Sequence, residues 1–321
     1  MNYGHIPGIE QPIPRLIQGT TMISGRDEAW EHALLDAVYQ AGARMFDTAH
    51  TYANGGNERS FGAWVRSRGL RDEILVLGKG AHHNAQRQRV TPEDITSDLH
   101  ESLDRLGFAE IDLYLLHRDD PSQPVGPIVE VLNEHQRAGK IRAFGGSNWS
   151  VARLVEANAY AAEQGLIPFA ASSPNFSLAD QIEEPWENCV TISGPAHAAD
   201  RQWYAETHMP LCTWSSLAGG FLTGKYRREN LDSFPADNYA DALAKRCYAS
   251  EANFRRLDRA EQLAQQKGLT IPQIALAFVL SQPLDVYALT APHSAEEYRA
   301  NAAAAAIALT PAELAYLDLQ D

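Results

Sequence analysis

The sequence predicts a (β/α)8 barrel, on the evidence of its length and of one repeated alternation. The 321 residues suit a large α/β barrel, which runs from about 200 to more than 400 residues. Eight short apolar runs alternate with segments of helical period. A doubly wound parallel sheet has the same alternation and is the alternative architecture. No flexible linker or change of composition divides the chain, so we predict one domain over residues 1–321.

The predicted strands are the short apolar runs. They fall at 15–20, 44–48, 74–80, 111–118, 141–148, 168–174, 210–216 and 285–292. Two connections are long, residues 175–209 after the sixth strand and residues 217–250 after the seventh. Structureless loops of this length are uncommon unless they serve a function, so we expect both long connections to cover a site.

Helical period is clearest between the third and fourth strands. Thr91 and Asp94 form a capping-box-like start, and Gly107 is typical of a helix end. The apolar positions between them recur at helical spacing and form one face: Ile95, Leu99, Leu103 and Leu106. The helical segments at 151–165 and 250–268 also end at glycine.

Charge and cysteine content exclude several classes of protein. Lys plus Arg total 27 and Asp plus Glu total 41, a net charge of −14 without a basic stripe, so we expect no nucleic acid partner. Three widely spaced cysteines, Cys189, Cys212 and Cys247, fit neither a disulfide framework nor a zinc site. Residues 1–16 lack the apolar region of a signal peptide, and no apolar run is long enough to span a membrane. We therefore expect a cytoplasmic protein.

Ionisable side chains stand at the ends of three successive predicted strands. Asp47 ends the second strand, and Tyr52 follows it in the next loop. Lys79 ends the third strand and His117 ends the fourth. The carboxyl ends of barrel strands share one rim, which holds the active site, so we expect these four side chains to converge.

This combination suits reduction of a carbonyl group, whose oxygen gains negative charge as hydride arrives and needs a proton donor. Tyr52 is a weak acid with an ordinary pKa near 10, and we expect the Lys79 ammonium to lower that pKa. Asp47 would keep Lys79 charged, and His117 would orient the carbonyl oxygen. Each residue alone also fits a structural role, but their combination at successive strand ends favours a catalytic one.

Five motifs carry a resemblance to a known family. They are "FDTAHTY" with the following "NE", "LGKG", "DLYLLHR", "GGSN" and "SSLAGGFLTGKY". In this order and at these intervals they resemble the aldo-keto reductases, over about residues 14 to 305. The resemblance implies a TIM barrel, a nicotinamide cofactor bound without a Rossmann domain, and catalysis by Asp47, Tyr52, Lys79 and His117.

The same resemblance implies a set of cofactor contacts. Those to the nicotinamide and pyrophosphate are Ser147, Asn148, Ser173, Trp214, Ser215, Leu217, Gly219 and Gly220. Those to the adenosine end are His293, Ser294, Glu297 and Asn301. Glycines at 219 and 220 permit close approach of the backbone to phosphate.

Four of these positions depart from the family's usual residues. His293 stands in place of a Lys or Arg that engages the 2′-phosphate, and Glu297 replaces a Gln. Ser173 replaces a Gln that binds the carboxamide, and Trp214 replaces the usual stacking Tyr. We expect NADP(H) as the cofactor and leave NAD(H) open.

The predicted function is therefore NAD(P)H-dependent reduction of an aldehyde or ketone. The predicted substrate pocket contains His50, His82, His83 and Trp149, with Asn148, Trp186 and Trp203 as further candidates. Polar groups beside indole faces favour a sugar-like or polyhydroxylated substrate. A broad-range small-aldehyde reductase and a cofactor-binding regulatory subunit remain alternatives. A metal-dependent sugar isomerase lacks the required carboxylate and histidine set, so we expect no metal, and the oligomeric state stays open.

Overall fold

The computed structural model describes residues 2–235 and 237–320. Its strands, in chain order, are β1 (Tyr3–Gly4), β2 (Ile13–Pro14), β3 (Leu16–Gly19), β4 (Met45–Asp47), β5 (Leu75–Gly80), β6 (Ile111–Leu116), β7 (Ile141–Ser147), β8 (Ala171–Ser173), β9 (Leu211–Thr213) and β10 (Val286–Thr290). β1 and β2 pair antiparallel. The other eight form a closed barrel in the order β10-β3-β4-β5-β6-β7-β8-β9. The predicted (β/α)8 barrel is confirmed, and closure excludes the doubly wound sheet.

Helices separate the barrel strands. They are α1 (Glu28–Gln40), α2 (Gly56–Arg68), α3 (Pro92–Leu106), α4 (Val125–Arg137), α5 (Val151–Gln164), α6 (Ala198–Thr207), α7 (Tyr239–Tyr248), α8 (Glu251–Lys267), α9 (Ile271–Leu280), α10 (Ala295–Ala304) and α11 (Pro311–Leu317). Short 3₁₀ turns occupy 52–55, 71–73, 195–197, 218–223 and 228–233. Among the described residues, none of these helices has the length and apolar character needed to cross a bilayer.

Each of the eight predicted strand segments contains a barrel strand, but the later strands are shorter than predicted. The segment 168–174 forms a strand only over Ala171–Ser173, and Pro174 after it lacks the N–H that a continued ladder needs. The segment 210–216 forms a strand only over Leu211–Thr213. Ser215 beyond it has a left-handed backbone, with a φ of 52°, which ends the extended conformation.

Contacts divide the chain into two compact units. The first unit contains residues 3–173 and 291–298, and the second contains Asn2 with residues 174–235, 237–290 and 299–320. The expectation of one domain over residues 1–321 stays a prediction. In the first unit, parallel pairing places Asp47 opposite Leu77 and Lys79 opposite Leu115.

Helix α3 of the first unit begins and ends where the sequence predicts. The Thr91 side chain caps it by accepting a hydrogen bond from the Asp94 N–H, and Gly107 ends it in the left-handed region. Its predicted apolar face, Ile95, Leu99, Leu103 and Leu106, is buried. The Asp94 carboxylate also accepts a hydrogen bond from the Thr91 hydroxyl.

The long connections belong to the second unit, and they are not structureless. The first, 175–209, contains α6, and the second, 217–250, contains two 3₁₀ turns and α7. Ser250 caps the following helix α8, which ends at Gly268. All three cysteines are buried, and no disulfide joins them. In the part of the chain that the structure describes, no group of His, Cys, Asp or Glu has the arrangement of a metal site.

Candidate active site

The catalytic candidates converge where β4, β5 and β6 end in the first unit. Asp47 is the last residue of β4, and Lys79 lies one residue before the end of β5. His117 directly follows β6, with its N–H bonded to the carbonyl of Gly80 at 2.7 Å. Tyr52 opens the 3₁₀ turn that leads into α2. Parallel strands thus bring together residues that are distant in sequence.

Lys79 and Asp47 form a buried ion pair. The Lys79 Nζ donates a hydrogen bond to Asp47 Oδ1, and their side chains are 5% and 3% exposed. Burial lowers the pKa of Lys79, but the Asp47 carboxylate and the Tyr52 phenol outweigh burial and leave that pKa above its ordinary value. Burial also raises the pKa of Asp47, against the opposing effect of Lys79. Lys79 therefore remains an ammonium at neutral pH.

The Tyr52 phenol lies beside this pair, with the Lys79 Nζ 5.1 Å from the ring centroid. Although the side chain keeps some exposure, burial raises the pKa of Tyr52 above its ordinary value, and Lys79 opposes this rise without cancelling it. The expectation that Lys79 lowers the pKa of Tyr52 below 10 is therefore wrong for the protein alone. Desolvation outweighs a cation whose charge is already balanced by Asp47, and Asp47 itself raises the pKa further.

His117 lies across from the phenol, with ring centroids 5.8 Å apart and the ring planes at 79°. Burial holds the pKa of His117 well below its usual range, and the charges of Lys79 and Arg118 add to this effect. Its Nδ1 is buried without a hydrogen-bond partner among the described residues. Because a buried N–H is rarely left unpaired, this favours a neutral ring with the proton on Nε2.

Two of the predicted pocket residues are placed differently from expectation. The His50 ring donates from Nε2 to the Glu101 carboxylate at 3.0 Å, so its side chain is engaged by α3. Trp149 has no exposed surface, and its indole N–H donates to the carbonyl of Arg118 at 3.2 Å. A fully buried indole presents no face to a ligand. Trp149 therefore supports the chain at Arg118, after β6, instead of lining a pocket.

His82 and His83 follow Lys79 closely and lie beside His117. The His82 ring is 4.8 Å from the His117 ring at 77°, and 4.3 Å from the His83 ring. Both side chains are half-buried. The structure thus brings the His82 ring next to the ring of His117, and a role of His82 and His83 in the substrate pocket stays a prediction.

The residues matched to the carboxamide contacts lie at the ends of β7 and β8. Ser147 donates from Oγ to the Ser173 carbonyl at 3.0 Å, and the Asn148 N–H donates to the same carbonyl at 3.1 Å. The Asn148 amide also donates to the His117 carbonyl at 3.2 Å. Asn148 has a φ of 59°, a left-handed conformation that asparagine tolerates. Backbone and side chains therefore hold this group next to His117.

The residues matched to the adenosine end begin helix α10. Ser294 Oγ accepts from the Glu297 N–H at 3.1 Å, and the Glu297 carboxylate accepts from the His293 N–H at 2.8 Å. His293 itself is exposed. Asn301 lies later on the same helix and is buried.

The remaining cofactor candidates form one stretch of the second unit, directly after β9. Left-handed residues recur in it, with φ of 52° at Ser215, 60° at Gly219 and 92° at Gly220. Left-handed residues in a tight turn can form a concave backbone that suits an anion, and in this stretch the N–H groups of Ala218 and Gly220 donate to the carbonyls of Ser215 and Leu217. At Gly220 an added Cβ would meet nothing within 4 Å, so the dihedral angle, and not space, requires glycine.

Trp214 begins this stretch and lies close to other aromatic residues. Its ring is 6.0 Å from the ring of Trp186, and the Trp186 indole N–H donates to the Tyr239 hydroxyl. Trp186 and Tyr239 are exposed. We call Trp186, Trp214 and Tyr239 the aromatic patch. Tyr239 had no signal in the sequence, because only folding brings the two long connections together at this point.

A second set that the sequence does not reveal is the support of the Tyr52 loop. Arg105 donates to the His50 carbonyl at 3.0 Å and to the buried Glu58 at 3.2 Å. It also pairs with Glu101 one turn earlier on α3. The four-residue spacing of Glu101 and Arg105 indicates a helix pair, but nothing in it points to the loop.

The chain matches known proteins over nearly its whole length. The profile of the Aldo/keto reductase family matches residues 15–320. The chain is 28% identical over 260 residues to a probable voltage-gated potassium channel subunit beta of Oryza sativa subsp. japonica, covering 78% of this chain and 74% of that protein. It is 28% identical over 285 residues to an aldo-keto reductase of Gibberella moniliformis, covering 86% and 80%.

A solved structure has the same fold. The glycerol dehydrogenase from Gluconobacter oxydans superposes with a TM-score of 0.79 at 24% identity, over 99% of this chain and 94% of that chain. At this identity the likeness concerns the fold alone. The match of residues 15–320 shows that this chain belongs to the aldo/keto reductase family, whose members are NAD(P)H-dependent oxidoreductases.

Proposed function

We propose that this protein reduces a sugar-like or polyhydroxylated aldehyde or ketone to the alcohol, with Tyr52 as the proton donor. The observation that carries the proposal is the buried Lys79–Asp47 pair beside the Tyr52 phenol. A buried ion pair stabilises a fold only weakly, so its position next to an ionisable phenol favours a catalytic role.

Each of the four residues has a distinct task in this proposal. Tyr52, whose pKa is raised, holds its proton at neutral pH and donates it to the carbonyl oxygen. Lys79 stabilises the phenolate that remains, and Asp47 keeps Lys79 charged. His117, neutral with its proton on Nε2, donates a hydrogen bond to the same carbonyl oxygen and orients it.

The chain contains residues that fit a nicotinamide cofactor, which when bound supplies the hydride. The left-handed backbone at 215–220 suits a pyrophosphate. Trp214, with its indole N–H buried and unpaired among the described residues, is matched to the nicotinamide-stacking position. Ser147 and Asn148 are matched to the carboxamide, and the start of α10 to the adenosine end.

For the cofactor we propose NADP(H), with NAD(H) also accepted. The first turn of α10 carries Glu296 and Glu297, and the exposed His293 lies two residues before the helix. Carboxylates repel a 2′-phosphate, and this position lacks the Lys or Arg whose permanent charge would bind it. The helix amino terminus still favours an anion, so we expect a modest preference for NADPH.

A hydroxylated substrate is supported by the imidazoles near His117, which offer hydrogen-bonding groups beside the reacting carbonyl. The experiment is a comparison of glyceraldehyde with nitrobenzaldehyde, following nicotinamide absorbance with NADPH and NADH in parallel. We expect a higher kcat/KM for glyceraldehyde. A strong preference for the aromatic aldehyde would instead indicate a broad-range small-aldehyde reductase.

A regulatory subunit with little turnover is the second candidate, since one relative is named a probable potassium channel subunit beta. This candidate predicts that NADPH binds, as measured by quenching of tryptophan fluorescence, while no carbonyl compound is turned over. Steady turnover of any aldehyde in the panel would favour the reductase.

A further inference from the structure

His82 is held beside His117 by the geometry of the chain after β5. Ala81 has a left-handed backbone with a φ of 59°, and its N–H donates to the buried Asp98 carboxylate at 2.9 Å. This bond stabilises an unusual turn for alanine and directs the following residue. The His82 ring accordingly meets the His117 ring edge to face, with centroids 4.8 Å apart.

The tautomer of His82 follows from its hydrogen bond. Its Nδ1 lies 2.8 Å from the carbonyl oxygen of His83. A carbonyl oxygen can only accept, so Nδ1 carries the proton and donates it. In a neutral ring Nε2 then carries a lone pair and is a hydrogen-bond acceptor.

The surroundings keep this ring neutral. Burial lowers the pKa of His82 to about 4 and outweighs the hydrogen bond to the His83 carbonyl, which acts in the opposite direction, while the positive charge of Arg118 lowers the pKa further. At physiological pH the side chain therefore offers a lone pair at Nε2. His117 favours the opposite tautomer, with Nε2 as a donor. Two neighbouring imidazoles thus present one donor and one acceptor.

We propose that His82 is a substrate-binding residue that accepts a hydrogen bond from a hydroxyl on the carbon next to the reacting carbonyl. The assignment rests on the proposed function, because it places the carbonyl oxygen between Tyr52 and His117. The rings of Tyr52, His117 and His82 follow one another at 5.8 and 4.8 Å. A substituent on the carbon next to the carbonyl that extends past the His117 ring would therefore reach His82. The favoured substrates are 2-hydroxy aldehydes and 2-hydroxy ketones.

The wild-type protein tests this without any substitution. Propanal, 2-hydroxypropanal and 3-hydroxypropanal differ only in the presence and place of one hydroxyl. With concentrations corrected for the hydrated fraction of each aldehyde, we expect kcat/KM for 2-hydroxypropanal to exceed that for the other two about tenfold. The gain should be mainly in KM, since the hydroxyl is bound before and during hydride transfer alike.

Variants then assign the preference to a residue. His82→Phe keeps a ring but removes the acceptor, and we expect it to reduce the ratio of 2-hydroxypropanal to propanal to near one. His82→Gln, whose amide oxygen accepts, should restore part of the ratio. His100→Phe, the same change at an exposed position of α3, is the matched control and should keep the wild-type ratio. Cofactor-induced thermal shifts verify folding of each variant.

The two proposals fail in different ways. Turnover of propanal without a preference for 2-hydroxypropanal, or a preference that survives in His82→Phe, would overturn the assignment of His82 and leave the reductase proposal intact. Absence of turnover with all three aldehydes and with glyceraldehyde would overturn the proposed function, and the assignment of His82 with it.

Discussion

The first unit contains the strand-end cluster of Asp47, Tyr52, Lys79 and His117, and the second contains the aromatic patch. The two regions differ in how strongly their side chains are buried and held by hydrogen bonds. The side chains of Asp47 and Lys79 are at most 5% exposed and bond each other directly. Trp186 and Tyr239, by contrast, are 44% and 66% exposed and stand on long connections. Strand pairing holds the first region in place, whereas one hydrogen bond links Trp186 and Tyr239. The difference favours a division in which the candidate catalytic groups stand on rigid strand ends and the long connections are adaptable.

The largest effect should come from Tyr52→Phe, which removes the proton donor and preserves the ring. We expect the single-turnover rate of carbonyl reduction to fall about 10²- to 10⁴-fold, the usual contribution of a general acid. Stopped-flow measurement is needed because product release often limits steady-state turnover. Tyr39→Phe removes a hydroxyl that binds Glu73 away from the cluster and should keep the wild-type rate. An equal loss in both variants would contradict the assignment.

The raised pKa of Tyr52 also sets the pH dependence of this reaction. Reduction needs the protonated phenol, and burial keeps the proton on Tyr52 beyond its ordinary pKa of 10.0. We therefore expect the reduction rate of the wild type to stay level from neutral pH to about pH 10. A fall centred near neutral pH, absent from Tyr52→Phe, would show that a bound cofactor or substrate reverses the effect of burial.

The next largest effect should be on stability, in Lys79→Met. This change leaves Asp47 buried without its cation, which typically costs about 3–5 kcal/mol in the free energy of unfolding. Asp47, whose folded-state pKa is already raised, should then be protonated more readily. A carboxyl with a raised folded-state pKa contributes stability at low pH that is lost as pH rises through that pKa. The variant should therefore lose less stability at pH 5 than at pH 8.

Urea unfolding at the two pH values measures this effect. Lys79→Met combined with Asp47→Asn is the matched control, since it removes the unpaired charge and should recover part of the loss at pH 8. If the single variant were as stable as wild type at both pH values, the buried pair of Lys79 and Asp47 would not constrain the strand-end cluster. The cluster would then not be more rigid than the aromatic patch.

The sequence predicts the fold well because local signals and topology agree. Strands such as Leu75–Gly80 and Ile111–Leu116 lie within apolar runs, and α3 has both its cap and its glycine end. Once such segments alternate, the rules of parallel sheets bring Asp47, Lys79 and His117 to adjoining strand ends. The convergence of these three side chains therefore follows from topology alone, and Tyr52 joins them from the loop that follows Asp47.

The sign of a pKa shift and the orientation of a side chain do not follow from topology. The sign of the Tyr52 pKa shift depends on whether desolvation or Lys79 is larger, and burial is not visible in the sequence. His50 stands between Asp47 and Tyr52, yet its ring binds Glu101 on α3. Trp149 is of a residue type that often lines pockets, yet it is fully buried. Side-chain direction is set by packing, which a local motif does not record.

A smaller effect is expected at the start of α10, in His293→Arg. A fixed guanidinium at this exposed position should raise the ratio of kcat/KM for NADPH to that for NADH about tenfold, the worth of one charge-assisted hydrogen bond to phosphate. His5→Arg makes the same change at another exposed histidine and controls for net charge. A cofactor ratio that moves equally in both variants, or in neither, would count against placing His293 near the 2′-phosphate.

The smallest effect should come from the hydrogen bond within the aromatic patch. Trp186→Phe removes the donor and Tyr239→Phe removes the acceptor hydroxyl of this bond, so a double-mutant cycle isolates it. Because both side chains are substantially exposed, water replaces the lost partner, and we expect a coupling of about 0.5 kcal/mol in urea unfolding, at the low end for a hydrogen bond. A coupling of about 2 kcal/mol or more would mean that the long connections are held nearly as firmly as the strand ends. In that case the contrast between a rigid strand-end cluster and adaptable connections would be wrong, and substrate range would have to be set within the first unit, at residues such as His82.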